Sequence, residues 1–279
     1  MKIAILGGGI SGCALARMLA EDDHDVTVLE KSERVGGLCK SRQIDGFTFD
    51  EAGGHIIFSK DTDVLQWQLD RCGGEQNTQK TVRNTKIRWH DRWVPYPFEN
   101  GVGHLTQAAN VECMSGYIEA YVGRRTGAPC PENFGDWIQW RMGDGFARHF
   151  MVPYNNKIWK RDLTTMASDW VAGRVPEAPI EDILRSSIGV DTEGYKHQSV
   201  FWFPSHGGFE AMVKGTAKDG GFRLVCDARV DRVAKKGGGF EVNGEAFDLV
   251  VNTVPLPQIE SVIEEIPADI RADIQALEP

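Results

Sequence analysis

Three glycines and one acid near the N-terminus carry the first chemistry this sequence could do. Gly7, Gly9 and Gly12 stand as Gly-x-Gly-x-x-Gly, with Ile10 and Ser11 inside the pattern. In that spacing one glycine permits a tight turn, one lets backbone approach a pyrophosphate, and one lets a helix pack closely on a strand. A helix starting there offers free N–H groups and the positive end of its dipole to phosphate. Glu30, followed by Lys31, stands where a carboxylate can accept both hydroxyls of an adenosine ribose and disfavour a 2′-phosphate. A glycine pair, Gly36-Gly37, follows Arg34, and another, Gly53-Gly54, precedes His55 and an apolar run. The second pair suits backbone passing tightly over a bound group with the imidazole at the point of approach. It suits equally a turn feeding a buried strand, with His55 merely hydrogen-bonded.

The middle of the chain concentrates aromatics, amides and one arginine. In Pro95-Tyr96-Pro97-Phe98 the alternate prolines stiffen the backbone and cannot donate to a ladder. Tyr96 and Phe98 are therefore candidates to stack on a planar ligand, against the commoner fate of aromatics in a core. Asn155 and Trp159 follow in Pro153-Tyr-Asn-Asn-Lys-Ile-Trp159, and Arg174 ends the stretch from Trp170. An arginine can grip a diphosphate with two parallel bonds; a lone one is more often a surface or capping residue.

Around these residues the periodicity predicts strands at Ile3–Leu6 and Asp25–Leu29, with a helix over Ser11–Ala20 presenting Leu15, Met18 and Leu19. A strand is expected at Phe47–Asp50, then a helix capped by Asp61 or Thr62 and running to about Cys72, with Leu65 and Leu69 inward. A hairpin follows over 84–98, turning at Asp91-Arg92. Residues from about 103 to 150 read as helical, on the rows Met114, Tyr117, Ile118, Tyr121 and Phe134, Trp137, Ile138, Met142. From Val200 the chain becomes β-rich: a strand, a turn at Gly207-Gly208 and a helix to about Lys218. A meander is then expected from 222–226, 229–234, 240–242 and 247–254. Its last strand is nearly all apolar, reads as buried on both faces, and is expected to rejoin the first sheet. The fold class is α/β: a Rossmann-like nucleotide domain of parallel sheet plus meander, residues 1–75 and 200–279, with an inserted mainly helical substrate domain, 76–199.

With 279 residues, 41% hydrophobic and 25% charged, the chain is ordinary for a globular protein with a real core. A formal charge of −9 argues against nucleic-acid or anionic-membrane partners. No apolar run is long enough to span a bilayer, and the N-terminus has no signal-peptide character. The six cysteines show no metal-like spacing and read as reduced thiols in a cytoplasmic protein; no metal site is expected.

The segment Glu30 to Ser41, an acid, Arg34, Gly36-Gly37 and Ser41, resembles the extended signature of flavoproteins and implies FAD rather than NAD. Gly7–Gly12, Gly53-Gly54-His55-Ile-Ile-Phe-Ser, Trp93-Val-Pro-Tyr-Pro-Phe-Glu-Asn, Phe150–Trp159 and Trp170–Arg174 together resemble UDP-galactopyranose mutases, especially the eukaryotic-type branch. That family lies within the amine oxidase and protoporphyrinogen oxidase-like flavoproteins. The resemblance implies a non-redox isomerisation of UDP-galactopyranose to UDP-galactofuranose through a reduced-flavin N5–sugar adduct. An external reductant such as NAD(P)H would prime it.

Carried over by motif, the cofactor contacts are Gly7, Gly9, Ile10, Ser11, Gly12, Glu30, Lys31, Gly36, Gly37, Gly54, His55 and Val230. Substrate contacts are Tyr96, Phe98, Asn155, Trp159 and Arg174, with His55 and Arg174 as the catalytic pair. Glu99 stands where the family commonly has Gln, a charge that must be neutralised or face away. The mutases also continue past the position of Pro279. The resemblance therefore leads us to expect a fragment or truncated product, or a homo-oligomer or partner chain supplying the rest, with weaker FAD retention. The alternatives are an FAD-dependent oxidoreductase of the amine oxidase or protoporphyrinogen oxidase type, and an inactive flavin-binding remnant.

Overall fold

The computed structural model describes residues 1–171, 178–190 and 200–277. The chain divides into two compact units, one of residues 1–81 with 200–279 and one of 82–199. The first break falls beyond residue 75 because strand Thr78–Val82 pairs with Val200–Pro204.

The first unit is built on a four-stranded parallel sheet. Its order is Leu249–Asn252, Lys2–Leu6, Asp25–Leu29, Arg223–Val225. Alternate residues of the first strand serve opposite faces, as the two-residue period requires. Ile3 and Ile5 pack with Ala16, Leu15 and Leu19 of helix Ile10–Glu21. Ala4 and Leu6 pack on Val233, Val242 and Phe247 of an antiparallel meander, Val233–Lys236, Gly239–Val242 and Glu245–Phe247. A third cluster joins helices Thr62–Arg71 and Glu210–Ala217 through Leu69, Phe209, Met212 and Val213. Asp61 caps the former, accepting from the amides of Asp63 and Val64.

Two strand expectations are corrected. Arg223–Val225 is an edge of the parallel sheet, not part of the meander, and Arg229-Val230 is not in a strand. The apolar run 247–254 is divided at Asp248. Its amide donates to the Lys2 carbonyl while its carboxylate accepts from the Lys2 amide, so Phe247 ends the meander and Leu249 begins the sheet. Leu249 is exposed, so this strand is not buried on both faces.

The second unit has the hairpin Lys86–Trp89 and Arg92–Pro95, then helices Gln107–Arg125, Phe134–Phe146, Val152–Trp159 and Ile180–Ser187. One cluster forms its core, from Trp89, Phe98 and Tyr117 to Phe134, Phe146 and Ile183. The buried row of the long helix is Ala109, Cys113 and Tyr117; Ile118, expected inward, is exposed. The reason is the close approach of the next helix. A Cβ on Gly143 would lie 2.1 Å from the Gly116 carbonyl oxygen, and one on Gly145 would lie 2.4 Å from Cys113 Cα. Contact so tight selects the stripe carrying the smallest surface. Gly143 breaks the helix with φ +77°, and Arg124 Nη1 donates to the carbonyls of Trp140 (2.7 Å) and Arg141 (2.5 Å) beside the break.

Candidate functional site

The first unit holds a cleft of about 750 Å³ at the carboxyl ends of its central strands. Gly7, Gly9, Ile10, Ser11, Glu30, Lys31, Gly36, Gly37 and Val230 all line it. Position follows from topology: ligands of open parallel sheets sit outside the carboxyl ends of the strands. Gly9 is the residue preceding the helix and brings no side chain to cap it, so the first-turn amides remain available toward the cleft. Gly12 stands behind the wall, where a Cβ would lie 2.0 Å from the Gly7 carbonyl oxygen. Gly37, at φ +55°, packs against Gly9 so closely that an added Cβ would lie 3.0 Å from its Cα.

Glu30 is buried at the cleft floor. Its Oε2 accepts from the Gly8 amide at 2.6 Å and its Oε1 from the Ser32 amide at 2.9 Å. Burial alone would push the carboxyl up; the two amide bonds and nearby Lys40 outweigh it and hold the group below the ordinary glutamate range. Each oxygen of this ionised carboxylate keeps a lone pair for a hydroxyl donor. An uncapped helix end, a glycine wall and a buried acceptor fit a dinucleotide.

Residues beyond the motifs also contribute. Arg229, Thr253, Val254, Pro255 and Gln258 line the same cleft. Thr253 Oγ1 donates to the Leu6 carbonyl at 2.8 Å and lies 3.2 Å from that of Gly7, which ties the glycine turn to the last parallel strand. The available signal was that strand's carboxyl end, not any residue type.

Gly54 and His55 are not among the lining residues. The His55 ring stacks on Phe209 at 5.0 Å and its buried Nδ1 finds no partner among the described residues.

In the second unit Phe98 is corrected from ligand platform to core. It is 1% exposed, stacked on Phe150 at 4.6 Å and edge-on to Phe146. Tyr96 is exposed, with the Arg83 guanidinium 5.7 Å from its ring. Asn155 is buried: its Nδ2 donates to the Met151 carbonyl at 2.7 Å, and its Oδ1 accepts from Trp159 Nε1 at 3.2 Å. Trp159 leaves much of its ring exposed and meets Trp170 edge to face at 5.3 Å. Glu99 is buried, and desolvation pushes its carboxyl up to about 7, against its own backbone amide and Arg141, which pull it down. Arg174 lies outside the described residues.

A family profile for the NAD(P)-binding Rossmann-like domain matches residues 5–88. The chain is 54% identical over 57 residues to an uncharacterized protein in the nifH2 3′ region of Methanothermococcus thermolithotrophicus, covering 20% of this chain and 54% of that one. It is 48% identical over 89 residues to the 4,4′-diapophytoene desaturase of Staphylococcus aureus (strain COL), covering 32% of this chain and 17% of the desaturase. The crystal structure of reduced UDP-galactopyranose mutase superposes with a TM-score of 0.85 at 25% identity, over 99% of this chain and 61% of that one. The chain thus spans about half or less of the curated relatives it matches, and under two thirds of that mutase chain. The fold is that of FAD-dependent flavoproteins. FAD, the cofactor expected from the sequence, is the cofactor of that fold group. Among the described residues no helix is long and apolar enough to cross a membrane.

Proposed function

We propose that this chain is an FAD-binding flavoprotein acting on a UDP-sugar, of the UDP-galactopyranose mutase type. The observation that carries this reading is the TM-score of 0.85 over 99% of the chain, second unit included. An oxidoreductase from Methanosarcina mazei reaches 0.67 at 14% identity over 100% of the chain, which is likeness of fold alone. FAD would be held by the first-turn amides at Ile10 and Ser11, the Gly9–Gly37 contact and Glu30, and when bound it supplies the electron-rich centre that isomerisation at an anomeric carbon needs.

The chain's own residues supply binding, orientation and charge. Glu30 accepts the ribose hydroxyls and the glycine wall admits the pyrophosphate. Tyr96 and Trp159 offer exposed rings to the base or sugar, and Asn155 orients Trp159 through its Oδ1. Arg174 would neutralise the charge that develops on a departing UDP. Glu99 needs no separate neutralisation if protonated, and its burial favours that form.

Titration of the full, dithionite-reduced chain with UDP tests the reading. UDP is expected to bind, and Arg174→Ala to weaken it by about 100-fold, the loss of a charge-assisted bidentate contact worth about 3 kcal/mol. Equal UDP affinity in the two proteins would overturn the mutase reading and leave the cofactor reading standing. A second reading, an FAD-dependent oxidoreductase, draws on the 48% identity to a desaturase, but over only 32% of the chain. It predicts anaerobic bleaching of the flavin by an oxidisable substrate.

A further inference from the structure

We propose that Glu210 is a positioning residue of the dinucleotide cleft: it stands outside the cleft and clamps both ends of the loop whose Gly36 and Gly37 form one wall.

Glu210 opens helix Glu210–Ala217 and is 1% exposed. Its Oε1 accepts from Arg34 Nε at 3.0 Å and its Oε2 from the Ser41 amide at 2.8 Å. One carboxylate thus holds the start and the end of the segment 34–41. Ser41 closes the arrangement: its Oγ accepts from the Glu210 amide at 3.2 Å and donates to Asp50 Oδ1 at 2.6 Å, which also accepts from the Phe209 amide. The fit is tight, for a Cβ on Gly208 would lie 2.3 Å from Ser41 Oγ. Lys214 completes the charge around Glu210 from its own helix, at 2.8 Å. Among the described residues, Arg34 and Lys214 are the cations facing it.

What the clamp restrains needs restraining. Gly36 and Gly37 hold φ of +141° and +55°, and apart from the Gly37–Gly9 packing they are tied by short turn bonds from Cys39 and Lys40 and by the Gly36 amide on the Gly8 carbonyl. Glycines sample the most backbone space when free, so an unclamped loop would spread over many conformations. Ordering it on binding would then be subtracted from affinity. A buried carboxylate that sees two cations and one amide stays ionised: burial pushes its carboxyl up, and the Lys214, Ser41 and Arg34 interactions bring it below the usual range. Glu210 is not among the residues lining the cleft, so its effect on a ligand must pass through the loop.

This inference rests on reading the cleft as an FAD site. The test measures FAD affinity of the full chain by flavin fluorescence, and amide exchange over 36–41 in the FAD-free protein. In Glu210→Gln and Arg34→Gln the Kd should rise roughly 10-fold through lost pre-organisation, with faster exchange in the loop and no further loss in the double variant. Lys214→Ala removes a partner of the same carboxylate that does not touch the loop, and should leave Kd within about 2-fold. A purely structural role would instead lower stability in all three and leave Kd and loop exchange alike. A folded Glu210→Gln with wild-type Kd overturns the proposal, as does Lys214→Ala weakening FAD equally. Should Glu210→Gln fail to fold, Arg34→Gln decides by the same two readouts. Wild-type chain that binds no FAD defeats the cofactor reading instead, and loop exchange alone then decides the clamp.

Discussion

The two units assemble candidate binding groups from different materials. In the first, the groups are backbone: amides at Ile10 and Ser11, glycines packed Cα to Cα, and a carboxylate locked by two amides. In the second they are side chains, and several are already committed to the fold. Phe98 is in the core, and both polar ends of Asn155 are bonded within its own helix segment. A wall of backbone is specified by where side chains are absent; a wall of side chains depends on rotamers and neighbours. The first leaves little room for a side chain at Gly12, Gly36 and Gly37, and the second grades its losses.

That contrast breaks first, and with the largest effect, at Gly12. A Cβ there meets the Gly7 oxygen, so Gly12→Ala should cost about 3 kcal/mol or more in denaturant unfolding and abolish FAD binding. Wild-type stability and affinity in that variant would show that the turn yields.

Next comes the buried carboxylate of the second unit. Glu99 has a folded value of about 7 against an ordinary 4.5, so between those values the folded state holds the extra proton and stability falls as pH rises. Glu99→Gln should remove that slope, match wild type in acid and exceed it at pH 8 by about 1–3 kcal/mol. Equal slopes in the two proteins across pH 4.5 to 7 would count against a buried, uncompensated Glu99.

Glu30 behaves oppositely. Its folded value is lowered, so its contribution is present above the ordinary glutamate range and lost as pH falls through the folded value. Glu30→Gln should weaken FAD roughly 10-fold, about 1.4 kcal/mol, at neutral pH, with the two proteins converging in acid. Smallest is Trp159→Phe, which removes the donor to Asn155 Oδ1 and should cost about 0.5–1.5 kcal/mol of stability, since water can replace it.

The parallel strands at the N-terminus, the glycine turn and the acid at Glu30 were legible because each is a local rule of period, turn geometry or capping. The division of 247–254 at Asp248 was not, because an apolar run carries no mark of which sheet takes which half. Nor was the inward row of the long helix, which Gly116, Gly143 and Gly145 rotate toward Ala109 and Cys113 by close approach from a distant segment.

By itself, the order of residues determined an α/β chain with a glycine turn suited to phosphate and an acid, Glu30, suited to a ribose. Those features need only backbone torsions and near neighbours in sequence. Tertiary structure alone decided that Phe98 is core, that Thr253 ties the glycine turn and that Glu210 grips Arg34 and Ser41. Each of those pairs partners far apart along the chain, and such contacts are settled by packing, not by local propensity.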